Sequence, residues 1–261
     1  MKKMSTEKLY KIFVYVALIS LAISIIVPVA WVFVSSLKTN AEFQGSPWTL
    51  PMSFYFQNFI DAFEKAHMAE YLLNSVIVTA LGLILLVIIA LPASYVLARF
   101  DFAGKKIINT LFMAGLFINV NYIVVPIFLM LLDWDDVIYN LFGQTFFLDN
   151  IFVLAVVYAS TALPFTIYLL SGYFKTLPKA YEEAAFIDGC GYFKTLIKVM
   201  APMAKPSIIT VILFNFLAFW NEYIIALTLM PGASKTLPVG LVTLSKGQMA
   251  AANYGQLYAG L

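Results

Sequence analysis

The stretch Tyr181–Gly189, which reads YEEAAFIDG, is the most informative part of this 261-residue chain, and the sequence MAP follows it at Met200–Pro202. The stretch is charged and rich in alanine, the strongest helix former. Pro178 suits the first turn of a helix, because the N–H that proline lacks would have no partner there. Gly189 is typical of a helix end, where glycine readily adopts the left-handed conformation. The sequence therefore predicts a short acidic helix that ends at Gly189.

A second short helix is predicted after this one. Apolar residues recur there at helical spacing, at Phe193, Leu196, Ile197 and Met200. Lys194 and Lys198 lie on the opposite face, so the helix is amphipathic, and Pro202 and Pro206 are expected to end it. Two interpretations of the pair stay open at this point: a hairpin lying at the lipid surface, or a docking element for another protein.

The composition outside this loop is that of a membrane protein. Hydrophobic residues make up 62% of the chain, charged residues 11%, and the mean hydropathy is +0.89, whereas soluble domains carry about 25% charged residues. A spanning helix needs about 20 apolar residues. Five segments meet that length, at 12–37, 71–98, 107–132, 151–170 and 207–229. Because these are continuous apolar runs, they favour an all-α helical bundle over a β-barrel.

The basic residues predict the orientation. Twelve of the sixteen fall on one side of the predicted spans: residues 2, 3, 8, 11, 99, 105, 106, 175, 179, 194, 198 and 205. Since basic residues favour cytoplasmic loops, the N-terminus and the loop 172–206 are predicted to be cytoplasmic in a bacterial-type cell membrane. A single transmembrane domain, 1–261, is expected. Its outer loop is 230–253, and 254–261 begins a sixth span that the sequence cuts off.

The sequence contains no recognisable set of catalytic residues. Its one cysteine, Cys190, and one histidine, His67, exclude an internal disulfide and a cysteine- or histidine-rich metal site. The spans hold no set of nucleophile, acid and base, and the sequence contains no G-x-x-x-x-G-K-[ST] phosphate-binding loop. We therefore expect no catalytic residue, no metal, no cofactor on this chain and no nucleic-acid partner, and any ATP is expected to be hydrolysed elsewhere.

Four polar residues lie inside predicted spans, namely Asn119, Asn121, Asn215 and Glu222. Polar groups in hydrocarbon are costly and usually face the bundle interior or a water-filled path. Asn215 and Glu222 are seven residues apart and share a helix face, whereas Asn221 is rotated away. Hydrogen bonds between helices and the lining of a translocation path are both consistent with this pattern.

The loop resembles the EAA loop of ABC importer permeases, E-A-A-x-x-x-G with nine residues before I-x-L-P, although Val199 and Ala201 replace the isoleucine and leucine. Other segments resemble the carbohydrate-uptake subfamily, and the chain is similar to the smaller permease subunit of the maltose system. These segments are Ser36–Thr39, Asn74–Ser75, Ala93–Phe100, Trp220–Tyr223 and Leu237–Gly240. The resemblance covers nearly the whole chain in order.

The resemblance implies a type I importer fold and half of a translocation path for a carbohydrate, with an oligosaccharide as the first candidate in this subfamily. It implies a second permease subunit, two ATPase subunits that bind ATP and magnesium, and an external solute-binding protein. Contact with the ATPase is implied for Glu183, Ala184, Ala185, Asp188 and Gly189, and contact with the solute-binding protein for Leu237, Pro238 and Gly240.

Two alternatives remain. The same scaffold could carry a non-sugar solute such as a polyol or glycerol phosphate. A secondary transporter is disfavoured, since the sequence has no internal repeat of the kind that such proteins are built from.

Overall fold

The computed structural model describes residues 6–65, 67–232, 234–251 and 254–260, and these form helices and no strand. The chain divides into two compact units, where the sequence predicts one domain. One unit comprises the described residues of 1–69 and 240–261, and the other comprises 70–239.

The first unit contains the N-terminal helix and four shorter helices. They are α1 (Thr6–Ser36), α2 (Asn40–Gly45), α3 (Gln57–Lys65), α14 (Tyr254–Gly260) and most of α13 (Leu237–Ala251). Aromatic rings join three of them: Phe43 of α2 stacks on Tyr254 at 5.1 Å between ring centroids, and Trp31 of α1 meets Tyr258 edge-on at 5.2 Å. Lys38 lies fully buried between α1 and α2, and its Nζ donates to the carbonyl oxygen of Pro47 at 3.0 Å.

The second unit contains the other long helices and the charged loop. Its helices are α4 (Met68–Arg99), α5 (Lys105–Gly115), α6 (Val120–Phe142), α7 (Ile151–Thr176), α8 (Ala180–Ile187), α9 (Tyr192–Thr195), α10 (Ala201–Met203), α11 (Lys205–Trp220) and α12 (Ile224–Leu229). A π-helical turn, Leu196–Met200, joins α9 to α10. Buried side chains of α4, α7 and α11, among them Leu86, Tyr158 and Val211, form the core.

Three described helices are long and apolar enough to cross a membrane. They are Tyr10–Ser36, Met68–Arg99 and Ile151–Thr176, and they coincide with the predicted spans 12–37, 71–98 and 151–170. Two helix pairs pass the same test only as bent units: Lys105–Gly115 with Val120–Phe142, bent by 105°, and Tyr192–Met203 with Lys205–Trp220, bent by 78°. The described residues therefore contain three such helices, or five if each bent pair is one span.

The predicted third span, 107–132, is not one straight helix. α5 ends at Gly115, and α6 begins after Asn119, whose side-chain oxygen accepts a hydrogen bond from the Asn121 N–H at 3.0 Å. At Gly115 a Cβ atom would lie only 2.9 Å from Cγ of Pro164 in α7, so α5 and α7 approach closely there. A side-chain cap and a helix crossing thus interrupt a run that is mostly apolar.

The predicted fifth span, 207–229, is interrupted as well. α11 ends at Trp220, where the Asn221 side chain donates to the carbonyl oxygen of Leu217 at 2.8 Å and closes the last turn. α12 starts at Ile224, so three residues separate the two helices. The polar residues Asn221 and Glu222 lie at this break, between two apolar helices.

The predicted outer loop, 230–253, is largely helical, because α13 occupies Leu237–Ala251. Ala233, Ala252 and Asn253 of that loop lie outside the described residues, as does Leu261 of the expected sixth span. The described part of that expected span, Tyr254–Gly260, is α14, which contacts α1, α2 and α3 in the first unit.

Candidate functional site

The acidic helix predicted from YEEAAFIDG is α8, Ala180–Ile187. Gly189 has a φ of +77°, the left-handed conformation predicted for it, and its N–H donates to the carbonyl oxygen of Phe186 at 3.0 Å. The Cys190 N–H donates to the carbonyl oxygen of Ala185 at 2.9 Å. These bonds satisfy carbonyl groups that a helix C-terminus otherwise leaves unpaired, so the chain reverses sharply after α8.

α8 has one face turned towards this chain and one exposed face. Glu183, Ala184, Asp188 and Gly189 are exposed. Ala185 is only 5% exposed and so belongs to the inward face, and its predicted contact with the ATPase stays a prediction. The sequence reasoning missed Ile187, which is 86% exposed at the end of the helix. The exposure of this isoleucine is seen only in the structure, and no sequence pattern identified it.

The second predicted helix is present, but its buried face differs. The π-helical turn Leu196–Met200 changes the spacing, so Leu196 and Met200 are buried whereas Phe193 and Ile197 are exposed. Pro202 lies within the helical turn Ala201–Met203 and does not end the segment. The continuation into α11 makes this helix part of the bent pair described above.

Arg99, the only arginine of the chain, connects α8 to the C-terminal end of α4. Its Nη2 donates to the carbonyl oxygen of Leu177 at 2.6 Å, and its Nε lies 3.2 Å from Oε1 of Glu182. Those last two atoms are within ion-pair distance but are not aligned as a hydrogen bond. Sequence reasoning counted Arg99 only towards the orientation. A single arginine at the end of a span was the signal for a specific role.

A second ion pair follows Arg99 closely in the sequence. Lys105 Nζ donates to Asp101 Oδ1 at 2.9 Å, and the ammonium holds the pKa of the Asp101 carboxyl below its usual value. The Asp101 side chain is 99% exposed, so this pair contributes little to stability.

A cavity of about 280 Å³ lies between α6, α7 and the break after α11. It brings together three of the four predicted intramembrane residues, Asn121, Asn215 and Glu222. Two residues that the sequence reasoning missed, Tyr158 and Thr161 of α7, also line it. Their spacing of three residues places both on one face of α7, and that pattern could have identified them.

Glu222 is both a cavity residue and a helix cap. Its Oε1 accepts from the N–H of Ile225 at 2.9 Å, and its Oε2 accepts from the N–H of Ala226 at 3.0 Å. The hydroxyl of Tyr158, a residue only 1% exposed, donates to the same Oε2 at 3.1 Å. A carboxylate is favoured at the positive N-terminal end of α12, so the break after α11 and the position of Glu222 explain each other.

Asn215, Asn119 and Asn221 differ in position. Asn215 is 4% exposed and donates to Oγ1 of Thr166 at 3.1 Å, a hydrogen bond between α11 and α7. Asn119 is the N-cap of α6 and is not among the residues that line the cavity. Asn221 is exposed and turned away, as predicted. The interhelical and the cavity-lining interpretations therefore both describe Asn215.

The residues predicted to meet a solute-binding protein lie at the start of α13. Leu237 and Pro238 are half-buried, and the Leu237 N–H donates to Oγ of Ser75 at 2.7 Å. Gly240 is buried, and the contact of these three residues with a solute-binding protein stays a prediction.

The sequence matches the family model for binding-protein-dependent transport system inner membrane components over residues 90–260. Among its curated relatives is the diacetylchitobiose uptake system permease protein NgcG of Streptomyces coelicolor, 35% identical over 98% of this chain and 82% of the relative. A second is the trehalose/maltose transport system permease protein MalG of Thermococcus litoralis, 29% identical over 91% of this chain and 82% of the relative.

The fold is similar to that of a chain in the crystal structure of a bacterial ABC transporter involved in the import of the acidic polysaccharide alginate. The TM-score is 0.80 at 22% identity, and the match covers 100% of this chain and 92% of that one. The prediction of an all-α, multi-pass importer permease is thereby confirmed. The chain belongs to the family of binding-protein-dependent transport system inner membrane components and is an ABC importer permease subunit.

Proposed function

We propose that this permease forms half of the translocation path for a neutral oligosaccharide and is driven by a separate ATPase that docks on α8. The observation that carries the proposal is the exposed face of α8, where Glu183, Ala184, Ile187 and Asp188 project beside a chain reversal at Gly189. A short rigid helix with one free face suits a groove on a partner, since little conformational entropy is lost on binding.

The partners follow from the family. A second permease subunit would complete the path, two ATPase subunits would bind ATP and magnesium, and an external solute-binding protein would deliver the solute. The distribution of basic residues supports a cytoplasmic N-terminus and a cytoplasmic α8, on the same side as the ATPase. ATP-driven closure of the ATPase pair would then switch the helices between two discrete arrangements.

The cavity supports a neutral, hydroxyl-rich solute. Amide and hydroxyl groups of Asn121, Asn215, Tyr158 and Thr161 line it together with the Glu222 carboxylate, and no lysine or arginine is among its described lining residues. Such groups donate to and accept from sugar hydroxyls, whereas an anionic solute such as glycerol phosphate would meet the carboxylate. Asn119, at the N-cap of α6, would lie beside this path rather than in it.

An uptake experiment tests the proposal. The complete complex is purified from native membranes through a tag on this chain, reconstituted in proteoliposomes with its solute-binding protein, and supplied with labelled diacetylchitobiose, a solute named for the relatives NgcG and DasC. ATP-dependent uptake, competed by unlabelled oligosaccharides and not by glycerol phosphate, is the expected result. Uptake that only glycerol phosphate or a polyol competes would contradict the sugar assignment.

A further inference from the structure

Arg99 holds two parts of the loop around α8 at once. It is the last residue of α4, and its guanidinium meets the Leu177 carbonyl at 2.6 Å and the Glu182 carboxylate at 3.2 Å. The Arg99 side chain is 6% exposed and that of Glu182 is 11% exposed. An ion pair this far from solvent is weakly screened, and removing one partner leaves an uncompensated buried charge.

Through Arg99 the loop around α8 is also held to α4, a helix that does not adjoin this loop in the chain. α8 is linked through the chain to α7 before it and, through α9, to α11 after it. α4 is remote in sequence, so the loop's position relative to α4 depends on side-chain contacts. The fork of the guanidinium, with several donors in one plane, suits a residue that must meet two acceptors together.

A continuous row of aromatic rings follows the same route. Tyr95 of α4 meets Phe174 of α7 at 5.6 Å, and it meets Phe100, just after α4, at 5.6 Å. Phe100 meets Tyr192 at 5.4 Å, and Tyr192 meets Phe186 of α8 at 5.2 Å. All four pairs are edge-to-face, a favoured geometry for aromatic rings.

We infer that Arg99 is a positioning residue that, with Glu182, makes α8 and the C-terminal end of α4 move as one body. A displacement of α8 by the ATPase then reaches α4 directly, without passing through the π-helical turn and the bend that lead to α11. The inference rests on the proposed docking of the ATPase on α8 and deepens it. It assigns to Glu182, which is buried, a role separate from that of the exposed Glu183.

The test is the number of ATP molecules hydrolysed per solute molecule imported by the reconstituted complex. Glu182→Gln removes the charge and keeps the shape, and it is expected to raise this ratio several-fold while the ATPase still co-purifies. Arg99→Lys keeps the positive charge but removes the planar guanidinium, and a smaller rise in this ratio is expected. Asp101→Asn is the matched control, because it removes a carboxylate from an exposed ion pair of the same region, and its ratio should equal that of the unmodified complex.

A purely structural role would lower uptake and ATP hydrolysis in proportion, so an unchanged ratio in Glu182→Gln overturns the inference. If Glu182→Gln does not assemble, the ratio of Arg99→Lys decides: a rise supports the inference and a normal value refutes it. Failure of the proposed function is distinct, because the unmodified complex would then show no ATP-driven uptake, whereas failure of the inference leaves that uptake intact.

Discussion

Replacing Glu222 tests whether its first role is to stabilise the break between α11 and α12. Glu222→Ala removes the acceptor of three hydrogen bonds, from the N–H groups of Ile225 and Ala226 and from the hydroxyl of Tyr158. Tyr158→Phe removes only the third and leaves the carboxylate bonded to both backbone groups. The two substitutions therefore separate the cap from the interhelical bond.

The expected magnitudes differ clearly. Ile225, Ala226 and Tyr158 are all at most 2% exposed, and each buried donor left without a partner costs about 1–3 kcal/mol. Glu222→Ala should thus lower the free energy of unfolding by about 3 kcal/mol or more, even at the lower end of that range. Interhelical hydrogen bonds in membrane proteins contribute about 0.6 kcal/mol on average and at most about 1.7, so Tyr158→Phe should stay within that limit.

The assay is reversible unfolding of the purified subunit in detergent with increasing dodecyl sulfate, followed by circular dichroism. Thr210→Val is the control, since Thr210 is exposed on α11 and its hydroxyl donates to the carbonyl oxygen of Pro206 in the same helix. If Glu222→Ala lowered the free energy of unfolding by no more than Tyr158→Phe does, Glu222 would not be acting as a helix cap. If Glu222→Ala were as stable as the unmodified chain but failed to import solute, the carboxylate would be a solute ligand and not a structural group.

Three further substitutions test other parts of the structure. Gly189→Asp forces a side chain into the left-handed conformation at φ +77°. It should release the ATPase during purification and leave the circular dichroism spectrum of the helices unchanged. Retained ATPase and normal uptake would argue against docking on α8. Asp135→Ala removes the acceptor of three backbone N–H groups, at 2.6, 2.7 and 2.8 Å. It should destabilise the unit by about 1–3 kcal/mol and speed proteolysis of the segment 143–149, and unchanged cleavage would be the contrary result. Gly115→Ala places a Cβ atom 2.9 Å from Pro164 and should cost about 1–3 kcal/mol by overpacking, to be measured by the same unfolding assay; an unaffected midpoint would mean that α5 and α7 can separate there.

The sequence predicted the helices that physical chemistry specifies locally. α4 and α7 follow from continuous apolar runs, and α8 follows from Pro178 at its start and Gly189 at its end. The breaks at Asn119 and Glu222 were not predicted, because both lie in segments whose hydropathy stays high. Their cause is a side-chain cap, which a hydropathy window does not detect.

The candidate site was predicted in part for a similar reason. Asn121, Asn215 and Glu222 were found because polar residues are conspicuous in an apolar chain, and they line one cavity. The inward position of Ala185 and the pairing of Arg99 with Glu182 depend on how α8 packs against α4. Contacts between segments so distant in sequence leave no local pattern.

Site-specific photo-crosslinking can determine whether the ATPase docks on α8. A photoreactive phenylalanine analogue replaces Ile187, which is 86% exposed on α8, or Phe117, which is 87% exposed between α5 and α6. The assembled complex is irradiated, and the crosslinked chains are identified by mass spectrometry. Position 187 is predicted to crosslink to the ATPase subunit and position 117 is not. An ATPase crosslink from position 117 and none from position 187 would show that the ATPase docks elsewhere on this chain.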